Sequence, residues 1–451
     1  MTSPSSSRAD DAATRFAIVG GGMLGMTLAL RLRQRGHDVD LIEASGMLGG
    51  LAQAWSLGSV TWDRHYHVIL RSDQALRSLL DELGLESEIE WATPRTGFFT
   101  DGRFADMSGL LDFLRFPPLN LIDKFRLGIT ILHASRIVDG RPLEAISVED
   151  WLRRWSGRRT FQKIWRPLLR AKLGERYRET SAAFIWAIVA RMYAARRSGL
   201  GREMFGYVPG GYARILATFT ERLRSAGVHV ELNAPVERIE RDGEAPLRIV
   251  FRDGQTRTYD RVVVTAAAPL AARLCPQLGT AERRSFQDIP YQGIVCASVL
   301  LDEPLGPYYI TNLTDDGLPF SAVIEMSAIV SRKEFGGNAL VYLPKYVAPN
   351  DPLFEKSDEE IRTDFLDALR RMYPHFAERK ILAFAVSRVR EVFAIASLGY
   401  SDRLPSISTS IRGLFLANSA HIVNGTLNVN ETILLADRAL STIDPVQVSN
   451  A

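Results

Sequence analysis

The chain has 451 residues, 46% of them apolar and 24% charged, with 34 Gly, 21 Pro and 2 Cys. That length suits two or more domains, and the near-average composition excludes collagen-like, wholly disordered and disulfide-stapled classes. A formal charge of only +3 gives no reason to expect a nucleic-acid partner held by phosphate contacts.

Residues 1–13 are rich in Ser, Ala and Asp without apolar periodicity and read as a disordered tail. Residues 16–30 form an uncharged run of 15 after Arg8 and Arg15, but four glycines interrupt it. A membrane span needs about 20 apolar residues, so the run is expected to be neither a span nor a signal peptide. Cys275 and Cys296 form no CxxC pair and lie far from any His cluster, so no metal site or redox dithiol is expected. The compartment reads as reducing and cytoplasmic, which leaves the three sequons at Asn312, Asn424 and Asn430 silent.

Residues 16–19 read as a short apolar strand. Leu24, Leu28 and Leu32 share a helical face that stops at Gly36, and residues 39–42 read as a second strand. From 72 to 201 the pattern is mostly helical, broken at Pro94, Pro117-Pro118, Pro142 and Pro167. Strands are expected at 228–232, 247–251 and 261–265, the last apolar enough for a buried parallel position. Residues 291–301, 321–326 and 339–343 alternate like a mixed sheet, 358–373 form an amphipathic helix, and 414–417 lead through a loop to a last helix at about 430–440.

Gly20, Gly22 and Gly25 form a G-x-G-x-x-G between the first strand and first helix. Gly20 lets the turn close, Gly22 lets backbone approach a pyrophosphate, and Gly25 lets helix pack on strand. The helix N-terminus at Met23 and Leu24 supplies amide donors. Glu43 lies 23 residues after Gly20, where an acid accepts hydrogen bonds from an adenosine ribose. The unit reads as a dinucleotide site.

The stretch from Glu43 and Ala44 to Gly49, Gly50 and Leu51 resembles the FAD-dependent amine oxidase, protoporphyrinogen oxidase and phytoene desaturase superfamily. There the ribose Glu is followed by a loop ending in Gly-Gly against the flavin dinucleotide. Residues 207–212, Val236 in 234–239, and 259–269 with Ala266 resemble later motifs of that superfamily in order and spacing. So do Asn418-Ser419 and Asn428-Val429 near the C-terminus, where the last helix would face the flavin pyrimidine. Asn428 with Glu431 also reads as a helix cap. Many relatives carry Gly-Asp where this chain has Asn418-Ser419, and its last helix has no Cys for covalent attachment. The resemblance implies non-covalent FAD. With no second G-x-G-x-x-G for NADPH, the electron acceptor stays open among oxygen, a quinone and a protein.

His65 and His67 would share a face if they lay on a strand, and the stretch through Asp73 resembles the His-containing flavin-side segment of UDP-galactopyranose mutases. Both are candidates for hydrogen bonding the flavin or relaying a proton. Glu325, Tyr342 and Tyr346 are polar candidates for the substrate pocket. Residues 151–202 carry 14 Lys+Arg against 2 Glu, leaving −9 for the remainder, and hold Trp151, Trp155, Trp165 and Trp186. Three readings apply: a surface lying on the inner face of an anionic membrane, a solvated basic subdomain with Trp in its core, or a pocket for a phosphate-bearing substrate.

The expected fold is α/β. A Rossmann-like FAD-binding domain comprises residues 14–71, 203–275 and 405–445. An inserted α+β substrate domain has a helical subdomain at 72–202 and a mixed sheet with a helix at 276–404. The expected activity is oxidation or desaturation of a hydrophobic or amphipathic small molecule of the isoprenoid, porphyrinogen or amine class, by hydride transfer to flavin N5. The alternatives are a non-redox mutase acting on a nucleotide- or lipid-linked sugar, and a flavin-retaining scaffold.

Overall fold

The computed structural model describes residues 13–197 and 204–445. The expected tail, apart from Ala13, and the end of the basic segment at 198–202 lie outside the described residues.

Five parallel strands form the sheet that carries the glycine turn, in the order His229–Glu231, Asp38–Ile42, Arg15–Val19, Arg261–Val264, Leu414–Leu416. The strand pattern explains the layering. Phe16, Ile18, Leu41 and Val263 turn to one face and bury against the Met23–Gln34, Gly211–Ser225 and Val429–Ile443 helices. Ala17, Val19, Val262 and Val264 turn to the other, against the Val236–Glu240, Leu247–Phe251 and Thr256–Tyr259 meander. With both faces covered, near-continuous apolar strands are the sequences that fit.

A second, seven-stranded sheet runs Ile381–Ala394, Tyr291–Leu301, Ala339–Val347, Ala322–Glu325, Ile310–Leu313, Thr96–Thr100, Arg103–Asp106. It is mixed, because Ile310–Leu313 pairs parallel with Thr96–Thr100 while its other pairs are antiparallel. Tyr291–Leu301, Ala339–Val347 and Ala322–Glu325 match the expected alternation, while Ile381–Ala394 and Ile310–Leu313 are not among the expected strands. The last two strands correct it, since they fall inside the span expected to be helical, as does Glu90–Ala92, which pairs with Phe205–Tyr207. One face of the sheet packs on the Asp358–Met372 helix through Val299, Val341, Phe365 and Leu369. The opposite face, with Ile294, Cys296, Leu340 and Tyr342, meets Trp62, Leu70, Phe205 and Tyr207.

Five further helices form a layer beside this sheet: Leu110–Arg115, Leu121–Arg136, Val148–Ser156, Arg166–Leu173 and Ala182–Arg197. Asn120 and Ser147 cap two of them, accepting from the amides of Asp123 and Asp150 at 2.8 and 3.0 Å. Inside the layer sit Trp151 and Trp186, the latter donating to the carbonyls of Ala134 and Ile137 at 3.1 and 3.2 Å. Trp165 donates to Ser156 Oγ at 2.9 Å. These tryptophans belong to a helical core, while the arginines from Arg153 to Arg178 are exposed.

Candidate functional site

The first strand ends at Gly20, whose φ of +114° no ordinary side chain adopts readily. A Cβ on Gly25 would lie 2.0 Å from the Gly20 carbonyl, so helix and turn approach as closely as two glycines allow. Gly22 opens the Met23–Gln34 helix with no side-chain cap and no acid in the first turn, which leaves its amide end for an outside acceptor. The Gly49 amide donates to the Gly21 carbonyl at 2.8 Å, fastening the second loop to the first. A Cβ on Gly22 would have only the Gly50 Cα within 4 Å, so open space flanks the turn where a dinucleotide would run.

Glu43 stands at the end of Asp38–Ile42 and accepts from the Gly21 and Ser45 amides at 2.7 and 2.8 Å. The same loop binds the segment leading to Val236: the Ala234 amide donates to the Glu43 carbonyl and Asn233 to Ser45, both at 3.0 Å. On the far side of the first strand, Thr265 Oγ1 donates to the Gly20 carbonyl at 3.0 Å and brings Ala266 beside the turn. The Ala417 amide donates to the Val264 carbonyl at 3.0 Å, which sets Asn418 next in line. Thus Gly20, Gly22, Met23, Leu24, Gly25, Glu43, Ala44, Gly49, Gly50, Leu51, Val236, Ala266, Asn418 and Ser419 gather at the carboxyl edge of the parallel sheet, where open α/β folds bind ligands. Asn428 and Val429 open the last helix, which packs against the first. Asn428 is its cap, accepting from Glu431 at 3.0 Å, and Val429 is buried in the same core as Met23 and Leu24.

Asn418 is buried, and its carbonyl oxygen accepts from the Ala420 amide at 3.1 Å. Its Nδ2 has no partner. An orphaned amide donor in this position fits a flavin dinucleotide, whose ribityl and phosphate oxygens are acceptors. A second group of orphans surrounds residues 62–72: Trp62 Nε1, Arg64 Nε, His67 Nδ1, Arg71 Nε and Ser72 Oγ, with Arg191 Nε beside them. Unpartnered buried donors concentrated on one segment mark a place built to meet a ligand.

The two histidines correct the sequence expectation. The strand Val60–Asp63 ends before them, and residues 64–68 are irregular, so they share no strand face. His65 has both ring nitrogens in contact with protein, Nδ1 with the Leu51 carbonyl at 3.3 Å and Nε2 with Ser387 Oγ at 3.1 Å. Burial lowers its pKa to about 4. It is a neutral linchpin between the glycine loop and the outer sheet, not a proton relay near neutrality. His67 packs on Tyr212 with ring centroids 4.8 Å apart, and its Nδ1 lies 3.6 Å from Asp63 Oδ2.

Of the three substrate candidates, Glu325 is also corrected. It is buried on the sheet face shared with Val323, which packs on the Asp358–Met372 helix, away from Trp62 and Tyr207. Its carboxylate accepts from the Leu305 amide at 3.0 Å and from Ser327, and burial raises its pKa to about 7. Tyr342 and Tyr346 do face the inner side. Tyr342 donates to the Asp63 carbonyl, and the Tyr346 and Tyr66 hydroxyls lie 2.6 Å apart.

Two functional candidates, Lys172 and Arg191, escaped the sequence reading. The Lys172 ammonium lies 3.6 Å from the Tyr346 ring centroid and 5.0 Å from that of Phe393, with no carboxylate within 4 Å among the described residues. Desolvation lowers its pKa, opposed by the Tyr66 hydroxyl. Arg191 grips buried Asp73 with contacts of 2.9 and 3.2 Å, and Asp73 also accepts from the Leu70 amide. Neither carries a local motif, because each partner comes from a distant part of the chain. A cleft of about 610 Å³ lies elsewhere, between the Arg166–Leu173 helix and the outer sheet. It is lined by Lys163, Arg166, Asp101 and Asp316, and by none of the cofactor candidates.

Comparison with known proteins agrees with this geometry. Residues 24–439 match the family model described as flavin containing amine oxidoreductase. The chain is 25% identical to the zeta-carotene desaturase of Synechocystis sp., an alignment covering 90% of this chain and 92% of that protein. Among solved structures, an oxidoreductase from Methanosarcina mazei superposes with a TM-score of 0.74 at 17% identity, covering 95% of this chain and all of that one. A reduced UDP-galactopyranose mutase does so with a TM-score of 0.71 at 16% identity, covering 96% and 94%. Those two likenesses show the fold. The family match runs almost end to end, and by it the chain belongs to the flavin-containing amine oxidoreductases and is a flavin-dependent oxidoreductase.

Proposed function

We propose that the protein holds FAD non-covalently and oxidises or desaturates a hydrophobic or amphipathic small molecule of the isoprenoid, porphyrinogen or amine class. The orphaned Asn418 amide, buried at the end of the same parallel sheet that carries the uncapped helix end and Glu43, carries this reading. Non-covalent attachment is supported by both cysteines being free and buried, with burial pushing the Cys275 thiol up to about 12 and the Cys296 thiol higher still. Free thiols also support a reducing, cytoplasmic setting.

When bound, the flavin supplies a hydride acceptor for a substrate C–H bond. Glu43 would take the ribose hydroxyls, the Met23–Gln34 helix end the pyrophosphate, Asn418 an acceptor oxygen, and the Asn428-capped helix end the pyrimidine side, where its dipole favours negative charge. Ile294, Tyr342 and Tyr346 present an apolar wall suited to excluding water and seating an apolar substrate. A proton at Lys172 Nζ is held less tightly than on a free lysine. With the Tyr66–Tyr346 hydroxyl pair beside it, it offers a route for a proton leaving the substrate. The relative named zeta-carotene desaturase favours an isoprenoid over an amine.

The mutase alternative leaned on the stretch from His65 to Asp73, and the engagement of both His65 nitrogens takes His65 out of that support. The test has two steps. Denatured protein should release FAD into a filtrate, and the holoprotein should introduce a double bond into a polyene or oxidise an amine when given a quinone or oxygen. Colourless protein overturns the cofactor. A yellow protein that leaves a full panel of isoprenoid, porphyrinogen and amine substrates unchanged is the scaffold.

A further inference from the structure

The Leu121–Arg136 helix is apolar on its outward side. Its buried side mixes Leu127 and Ala134 with Asp123, Lys124 and Thr130, while Leu121, Ile122 and Phe125 are 73%, 71% and 70% exposed, followed on the same face by Ile129 and Leu132. The polar residues are fixed inward by their partners. Lys124 Nζ donates to the Leu114 carbonyl at 2.7 Å, Thr130 Oγ1 lies 2.9 Å from Ser156 Oγ, and Asp123 lies 3.5 Å from Arg159. Surface helices of water-soluble domains turn polar residues, not a row of large apolar ones, toward solvent. Leu111 and Leu114 before this helix and Val138 after it extend the exposed apolar surface. A continuous patch of this kind marks an interaction face.

The rim identifies the partner. Arg115, Arg136, Arg154 and Arg158 are exposed, and none has a carboxylate within 4 Å among the described residues. The nearby acids are engaged, Asp112 capping the Gly109 amide and Asp139 pairing with Arg141. Exposed apolar side chains with unneutralised guanidinium groups on the same helix and its packed neighbours match an anionic bilayer surface, with acyl chains receiving the leucines and phenylalanine and headgroups the arginines. A second copy would bring the same cations face to face. Among the described residues no helix is long and apolar enough to cross a membrane, so the contact is with one leaflet.

We propose that the outward face of residues 111–138 seats the protein on an anionic membrane leaflet. This moves the membrane contact away from the tryptophans of 151–202, which are engaged in the helical core, and it stands independently of the chemistry proposed above. The test is co-sedimentation of the flavin-loaded full chain with phosphatidylcholine vesicles, with and without phosphatidylglycerol. The comparison is a variant carrying Ile122→Gln, Phe125→Gln and Ile129→Gln, with flavin absorbance and Tm confirming its fold. The wild type should pellet with the anionic vesicles, and the variant's partition should fall about tenfold or more. Arg115→Gln with Arg136→Gln should reduce the preference for anionic over neutral vesicles. A wild type that stays in the supernatant with both vesicles overturns the proposal. So does a triple variant that pellets as the wild type does, and so does a wild-type dimer in light scattering that the variant breaks without any vesicle binding.

Discussion

His65 and Glu325 load the fold with pH sensitivities of opposite sign. The His65 pKa is about 4 in the folded chain against 6.5 ordinarily, so between those values the unfolded chain binds more protons and acidification destabilises the fold. Below pH 4 the full penalty is roughly 3 kcal/mol, and His65→Gln should flatten the stability curve between pH 6.5 and 4. Denaturant midpoints across that range check it. Glu325 runs the other way. With a folded pKa of about 7 against 4.5, the folded chain binds more protons between those values, and stability is lost as pH rises through them. Glu325→Gln keeps an acceptor for the Leu305 amide. It should stabilise by on the order of 2–3 kcal/mol at pH 8 while changing little at pH 4, as measured by urea unfolding at the two values. Both corrections at this scale have one cause. Whether a His or Glu is a reactive group or a buried structural one depends on partners such as Ser387, 322 residues from His65, which no local pattern announces.

Among elements, those built from local relations could be read from the chain. The turn from Gly20 to Gly25, the acid at Glu43 and the cap at Asn428 each depend on residues a few positions apart or on one strand-helix-strand unit, and their spacing carried over into the fold. Thr96–Thr100 could not be read this way. Its identity as a strand comes from pairing with Ile310–Leu313, more than 200 residues on, and nearby prolines favoured a broken-helix reading. The strand before His65 and His67 stops at Asp63, whose Oδ1 accepts from the Tyr212 amide at 2.7 Å and whose carbonyl accepts from Tyr342, so the shared face that a strand would have given them does not form. The Ala182–Arg197 helix is tied to the cofactor-side segment by Arg191 on Asp73, a pair legible only in three dimensions. Removing one partner of a buried pair strands the other, so Arg191→Met should cost about 3–5 kcal/mol, whereas Asp73→Asn with Arg191→Met together should cost less than the single change. Thermal melts of the two variants decide this.

Across the whole molecule, the near-zero net charge conceals a division of labour. The acidic remainder contains the parallel sheet and its ligand edge, while the basic excess lies in the helical layer whose outward leucines and phenylalanine remain exposed. Residues of the ligand edge come from segments near 20, 43, 236, 266 and 418, so a bound dinucleotide ties together parts of the chain that are far apart in sequence. Binding to the folded state alone stabilises it by mass action, about 2.7 kcal/mol at a hundredfold excess over Kd. For a chain of this length that is a rise of roughly 3 °C in Tm, and flavin-stripped protein titrated with FAD should show it while riboflavin, lacking the pyrophosphate, should not. The central claim, net oxidation of an apolar substrate by a bound flavin, is tested most directly by mixing oxidised holoprotein with a carotene-precursor polyene without oxygen. The account predicts that the flavin colour bleaches and one new double bond appears per flavin reduced. An unchanged flavin spectrum, with product formed only after the flavin has first been reduced chemically, would contradict it.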